Sequence, residues 1–291
     1  MPKNSPEHGI LVAVDGSPES DAAVAWAGRE AVLRKLPVTL IHVIVPIVVS
    51  WPVRYLESAY RQWQEDNARE VIEKAEKTLL AAIGDATPPT VHTEVRNDGI
   101  VTVLAAMSKN ATMIVAGSRG MGRVSGALLG SVSRGLLHHS RCPVTIVKTD
   151  PKPSDADAPV LLGIDGSPAS EAATAFAFEE ASLRGVDLIA LHAWSDVGVF
   201  PIVGMDWHQY EDEGHAVLGE RLAGWREQYP DVNVQRRIVC DRPAQWLIDE
   251  SKNAALVVVG SRGRGGMASM LLGSVSYAVA ESAPVPVTVV R

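Results

Sequence analysis

The chain repeats itself, and that constrains its fold more than any other feature. Val12 to Ala23 returns as Leu162 to Ala173 with seven of 12 positions identical, at an offset of 150. Val115 to Ser133 returns as Val258 to Ser276 with 12 of 19 identical, at an offset of 143. His42-Val43 still matches His192-Ala193 at the longer offset, whereas Asn97-Asp98 matches Cys240-Asp241 at the shorter. The length change therefore falls after the second strand or in the helix that follows it. The period is too long for a solenoid, so two copies of one domain are expected, at 1–148 and 159–291. The segment between them, 149–158, is polar, carries Pro151 and Pro153, and reads as a linker.

Within each copy, strand and helix signals alternate. Gly9 to Val14 is a continuous apolar run, as expected for a strand buried on both faces. Ser17-Pro18 opens a helix, with serine as cap and proline in the first turn. Its expected buried face is Ala22, Ala23, Trp26, Ala27, Ala31 and Leu33. Val38 to Val45 reads as a strand, and Gln62 to Ile83 as an amphipathic helix burying Val71, Ile72, Ala75, Leu79 and Leu80. The spacing then predicts strands at Val91–Val95, Thr112–Ala116 and Val144–Val147, with helices at Ile100–Met107 and Val132–His139. This β-α-β-α-β-α-β-α-β order, written twice, predicts an α/β fold: two doubly wound, parallel, five-stranded sheets.

Composition fits two such domains. Of 291 residues, 46% are hydrophobic and 21% charged, which excludes a disordered chain. The net charge of −7 argues against nucleic acid as a partner, because phosphate backbone demands surplus Lys and Arg. It does not exclude a local pocket for a small anion. Cys142 and Cys240 cannot make a disulfide framework, and neither has metal-type companions nearby in sequence. The N-terminus lacks a secretory pattern, and the apolar stretch Val38–Val53 is broken by His42, Pro46 and Pro52. A cytoplasmic protein without membrane insertion is expected.

In a doubly wound sheet the ligand lies beyond the carboxyl ends of the strands, where strand order reverses. The segments after strands one and four meet there, and they are also the best repeated. After strand four comes Gly117-Ser118-Arg119-Gly120, nine residues, then Gly130-Ser131; the second copy has Gly260-Ser261-Arg262-Gly263, nine residues, then Gly273-Ser274. Glycines let backbone approach a ligand closely. The final Gly-Ser opens a helix whose N–H groups and dipole suit phosphate. Ser131 and Ser133, like Ser274 and Ser276, are expected to add hydroxyl donors. Arg119 and Arg123, or Arg262 and Arg264, supply charge. Asp15 and Asp165 end strand one, where a carboxylate can accept from ribose or an adenine amino group; Asp-Gly-Ser-Pro is equally good turn chemistry. A Cβ added at Gly117 or Gly260 is expected to block the ligand, not the core.

Other chemistries fit less well. No Gly-x-x-x-x-Gly-Lys-Ser/Thr occurs, which excludes a P-loop. Gly120-Met121-Gly122 and Gly263-Arg264-Gly265 match the dinucleotide fingerprint only in part, and after the wrong strand. His42 and His192 read as satisfied crevice histidines, since no nucleophile stands beside them in sequence.

Asp15, His42-Val43 and the Gly-x-x-Gly-(nine)-Gly-Ser pattern, with their second-copy equivalents, resemble the universal stress protein family, in particular its tandem, ATP-binding members. The resemblance covers nearly the whole chain apart from the tail and linker. It implies an adenine-nucleotide α-hydrolase-like sheet in each half, holding ATP with or without magnesium. It implies regulation of a stress response rather than catalysis, with slow ATP hydrolysis or adenylation as the alternative. Asp15 and Asp165 would meet ribose or adenine, and backbone at Val43 and Ala193 would meet adenine. The phosphate cradle would be Gly117, Ser118, Arg119, Gly120, Met121, Gly122 and Arg123 with Gly130, Ser131, Val132 and Ser133. Its counterpart would be Gly260, Ser261, Arg262, Gly263, Arg264, Gly265 and Gly266 with Gly273, Ser274, Val275 and Ser276. The family often has glycine two before the aspartate; Gly163 keeps it and Ala13 does not, so a methyl is expected to crowd the first pocket. Asp196 is a weaker candidate, and its counterpart Pro46 cannot do the same job.

Each copy ends in an apolar strand, Pro143–Val147 and Pro286–Val290, at the sheet edge in the implied topology. An open apolar edge invites pairing. The expected cover is the same strand of the other copy, a pseudo-twofold pair within one chain. A homodimer of tandem chains is compatible with the mild net charge. Val289→Lys should then lower stability and promote aggregation, read by thermal denaturation and light scattering; a variant as stable and soluble as the parent would contradict this pairing.

Overall fold

The computed structural model describes residues 7–46, 54–121, 129–149, 157–193, 207–263 and 271–291, with backbone alone for 54–57, 207–213 and 217. Most of the linker, 150–156, lies outside them. The chain divides into two units, Met1–Thr149 and Asp150–Arg291.

Unit 1 runs β1 (Ile10–Ala13), α1 (Pro18–Arg34), β2 (Val38–Ile44), α2 (Arg54–Ile83), β3 (Val91–Asn97), α3 (Ile100–Met107), β4 (Met113–Gly117), α4 (Ser131–His139) and β5 (Val144–Val147). All its strand pairs are parallel, in the order β3-β2-β1-β4-β5. Unit 2 repeats this with β6 (Val160–Gly163), α5 (Pro168–Arg184), β7 (Leu188–Ala193), α6 (Trp207–Gln228), β8 (Val234–Val239), α7 (Pro243–Glu250), β9 (Leu256–Gly260), α8 (Ser274–Ser282) and β10 (Val287–Val290). Its order is β8-β7-β6-β9-β10, again parallel. The central strands are buried along nearly their whole length, which explains their unbroken apolar runs. Among the described residues no helix is long and apolar enough to cross a membrane.

Capping defines the helix that follows the first strand of each unit. Ser17 is extended at φ −70°, ψ 158°, and its Oγ accepts from Ser20 N at 3.2 Å; Ser167 does the same for Ser170 N at 3.2 Å. Pro18 and Pro168 need no acceptor at the first helical position. At the far ends, Lys35 and Gly185 stop the helices in the left-handed conformation. The buried face of α1 includes Ala23, Trp26, Ala27 and Ala31 as expected; Ala22 and Leu33 are only half-buried, and Val24 joins the core.

Helix α2 starts eight residues before the expected Gln62. Residues 58–63 are exposed all round, so no apolar period marks them; burial begins at Ala68. Leu80, expected inside, is 48% exposed, because Leu79 takes the inward position of that turn.

The seven-residue difference between the copies falls at the end of this helix. A Cβ on Gly28 of α1 would stand 3.1 Å from Leu79 and 3.3 Å from Ile83. Its counterpart Phe178 instead packs on Trp225 and Tyr229, with ring centroids 6.1 and 5.8 Å apart. Leu79 and Tyr229 thus occupy one position at the longer offset, and the chain reaches β3 in twelve residues from Leu79 but β8 in five from Tyr229. Unit 1 has the longer helix and a glycine beneath it. Unit 2 has the shorter helix and fills the space with a fully buried phenylalanine. Phe178→Ala should destabilise unit 2 by about 3–5 kcal/mol, seen as an earlier transition in urea unfolding followed by tryptophan fluorescence. An unchanged midpoint would mean the cavity collapses without cost.

Candidate functional site

In each unit the connections run one way from the first strand and the other way from the fourth. Strand order therefore reverses between β1 and β4, and between β6 and β9, leaving a crevice beyond their carboxyl ends. Two loops form its walls.

The β1–α1 loop is built around Asp15. Its Oδ1 accepts from Ser17 N at 3.0 Å and from Ser17 Oγ at 2.6 Å, while Ser20 Oγ accepts from Asp15 N at 3.2 Å. Gly16 turns the chain at φ 83°. In unit 2, Asp165 Oδ1 accepts from Ser167 N at 2.9 Å, and Ser170 Oγ accepts from the N–H groups of Asp165 and Gly166 at 3.1 and 3.3 Å. The turn reading of Asp-Gly-Ser-Pro holds in both units, each carboxylate accepting from the serine two residues on.

The β4–α4 loop is fixed at its base. Ser118 N donates to Val147 O, and Gly130 N donates to Ser118 O, each at 2.7 Å. Ser133 Oγ donates to Gly117 O at 2.6 Å; in unit 2 Ser276 Oγ donates to Gly260 O at 2.5 Å. Here the structure corrects an expectation. A hydroxyl has one hydrogen, and these two buried serines spend theirs on main-chain carbonyls, so they brace the loop and give no donor to phosphate. Ser131 and Ser274, at the first helical positions, remain exposed. Val132 and Val275 follow them, half-buried.

Gly117 and Gly260 also have a different role from the one expected. A Cβ on Gly117 would lie 2.6–2.8 Å from the backbone and Cβ of Glu19, and one on Gly260 would lie 2.7–2.8 Å from the backbone of Ala169 and Ser170. These glycines let the strand end pass under the first turn of α1 or α5; what they exclude is a side chain against helix backbone. Gly120 and Gly263 do line the crevice, since a Cβ there would meet Asp15 Oδ2 at 2.5 Å or Asp165 Oδ2 at 2.6 Å. Gly130 lies tightly over Arg119, 3.3 Å from its Cα to a built Cβ, and Gly273 lies over Arg262 at 3.5 Å.

The two loops are tied together. Exposed Met121 donates its N–H to Asp15 Oδ2 at 3.2 Å, and Arg119 pairs with Glu19 at 3.1 Å. In unit 2, Ser167 Oγ donates to Arg262 O at 3.0 Å. Ser118 and Ser261 are buried beneath the loops. Sequence reasoning missed Glu19 and the paired serines Ser17/Ser20 and Ser167/Ser170 as site residues, although the repeated Asp-Gly-Ser-Pro-x-Ser carried the signal. It also missed Arg221, whose guanidinium packs onto Gly166 and whose buried Nε has no partner among the described residues. Val71 stands at the equivalent place against Gly16, so no repeat could reveal it.

The Ala13–Gly163 difference is compensated. A Cβ on Gly163 would point at Leu247 of α7, 3.0 Å away, and at Val259 of β9, 3.1 Å away. That position faces packed side chains, not an open pocket. Val259 corresponds to Ala116, so unit 1 places its methyls as Ala13 and Ala116 where unit 2 uses Gly163 and Val259. The expected crowding of the first pocket at Ala13 therefore does not follow.

Val43 and Ala193 stand at or beside the carboxyl ends of β2 and β7, next to the first strand of their unit. Cys240 follows β8 at the same end; partial burial, then Asp241, pushes its thiol up, opposing a nucleophilic role. Gly122, Arg123, Asp196, Arg264, Gly265 and Gly266 lie outside the described residues. Among the described residues no group of three or more His, Cys, Asp or Glu stands together as a metal site.

Helices α4 and α8 open directly onto the crevice. Gly130 and Gly273 are their extended N-caps, and neither helix has a side-chain cap. Helices α1 and α5, which start at the same end of each sheet, cap themselves through Ser17 and Ser167. The N–H groups of the first turn of α4 and α8 are thus offered to whatever enters.

Fold and site together define a tandem, doubly wound α/β protein with an anion-suited switch-point crevice in each unit. The Universal stress protein family matches residues 8–148 and again 158–291, and the chain belongs to that family. It is 54% identical to a universal stress protein of Mycolicibacterium smegmatis, over 100% of this chain and 99% of that one. It is 50% identical to one from Mycobacterium tuberculosis, over 97% and 96%. The crystal structure of a universal stress protein from Archaeoglobus fulgidus is similar along 99% of both chains, with a TM-score of 0.72 at 25% identity.

The glycine roles separate experimentally. Gly117→Ala and Gly260→Ala should lower the thermal midpoint of their own unit, because helix backbone must move. Ser133→Ala should cost about 1–3 kcal/mol by leaving a buried carbonyl unpaired. Calorimetric scans in which Gly117→Ala melts like the parent would contradict the close approach.

Proposed function

We propose that the protein is a regulatory nucleotide-binding protein of the stress response, holding one ATP in the crevice of each unit. The observation that carries this reading is the pair of uncapped helix starts at α4 and α8, beside self-capped α1 and α5. A free helix N-terminus beside glycines suits a phosphate chain. Ser131 and Ser274 would add hydroxyls to it. Asp15 and Asp165 would accept from ribose hydroxyls, and main chain at Val43 and Ala193, near the carboxyl ends of β2 and β7, would meet the base. The crevice carboxylates already accept from serine donors that shape the turn, which supports binding rather than turnover.

Isothermal calorimetry should show two ATP sites per chain, with ATP preferred over NAD, and mass spectrometry of denatured protein should find released adenine nucleotide. Asp15→Ala or Asp165→Ala should weaken its own site by roughly tenfold or more, the loss of one charge-assisted hydrogen bond. A single saturable site, tighter binding of NAD, or unaltered ATP binding in both aspartate variants would overturn the reading.

A further inference from the structure

The first two strands of each unit are joined at their carboxyl ends by a side chain where a parallel ladder would use main chain. In unit 1 the paired register of β1 and β2 ends at Ala13↔Ile41. One more backbone bond follows, Val14 N to Ile41 O at 2.9 Å. In a parallel ladder the evenly spaced next bond would run from Val43 N to Val14 O. That acceptor is taken instead by the ring of His42, with Nδ1 at 2.8 Å from Val14 O. A carbonyl only accepts, so Nδ1 carries the hydrogen.

Unit 2 repeats the device. The register of β6 and β7 ends at Gly163↔Leu191, Ile164 N donates to Leu191 O at 3.0 Å, and His192 Nδ1 donates to Ile164 O at 2.7 Å. The carbonyls engaged are those immediately before Asp15 and Asp165, and each histidine immediately precedes the residue whose ladder bond it replaces.

We infer that His42 and His192 are positioning residues that hold one main-chain donor and acceptor open toward the crevice. On a strand the N–H and C=O of one residue face the same neighbour. For Val43 that neighbour is β1, where the His42 ring stands on Val14 O and, among the described residues, Val43 N makes no bond to that carbonyl. A buried N–H is costly to leave unmet. Val43 and Ala193 therefore present an N–H beside a C=O to a ligand edge carrying the complementary pair. The ring nitrogen and amino group of adenine's hydrogen-bonding edge are such a pair; guanine presents donor and acceptor in the reverse order. The histidine never touches the base. It decides whether the strand ends read a ligand or pair with each other. The choice of adenine rests on the nucleotide reading above, whereas the open N–H does not.

The test has two arms on the full-length chain. Without ligand, amide hydrogen exchange should be at least about tenfold faster at Val43 and Ala193 than at Ile41 and Leu191, which lie inside the ladders. In the double variant His42→Leu/His192→Leu, Val43 and Ala193 should become protected as the ladder closes. His42→Asn/His192→Asn, whose amide can replace Nδ1–H, should keep them open. Equal protection at Val43 and Ile41 in the parent overturns the inference, and it does so on folded parent protein. In the second arm the leucine variant should bind ATP about tenfold more weakly with its preference over GTP reduced, while the asparagine variant stays within about twofold. Parent-like ATP affinity and selectivity in the leucine variant would also overturn it. A parent that binds no adenine nucleotide while its Val43 amide exchanges fast would sink the nucleotide reading and leave the histidine's role standing.

Discussion

A strand end that passes within contact distance of a helix backbone leaves no space for a side chain, and both crevices depend on that approach. Gly117 lies under Glu19 and Gly260 under Ala169 and Ser170. Because the fourth strand comes so close to the first helix, the loop that follows rises beside Asp15 or Asp165. Ser133 and Ser276 then lock the strand end by taking the carbonyls of Gly117 and Gly260. The loops, the carboxylate and the open helix start converge only because this base is tight.

Much of the fold was legible because burial on both faces writes itself as unbroken apolar runs, and Ser-Pro marks a helix start whatever surrounds it. The early turns of α2 were not legible. They bury nothing, and a helix exposed all round leaves no periodic trace. In the candidate site, the structure gives some residues of the expected loops roles that differ from those the sequence suggested. Gly117, Ser133 and Ala13 belong to a glycine-serine signature, and a signature does not distinguish a residue that faces ligand from one that supports it. Only the direction of a Cβ or a hydroxyl does that. Arg221 was invisible for another reason: it exists in one copy alone.

The two copies show how one architecture tolerates different side chains when partners change together. Ala13 with Ala116 and Gly163 with Val259 fill the same place between sheet and helix. Gly28 accepts a long α2 above it, whereas Phe178 fills the space above a short α6. In unit 1, Lys74 reaches Gly16 O at 3.2 Å and Asp21 at 2.6 Å across the first loop; at the corresponding loop of unit 2 the cation is Arg221, one helical turn earlier. The sheet and crevice geometry persist through these exchanges because each occurs behind the walls.

Across the first crevice the tie runs from Met121 N to Asp15 Oδ2, and across the second a bond runs from Ser167 Oγ to the carbonyl of Arg262. Each engages main chain of the loop after the fourth strand. Side chains at those loop positions can therefore be exchanged without untying the loop, so the rim of a crevice is free to change its chemistry while its frame stays fixed.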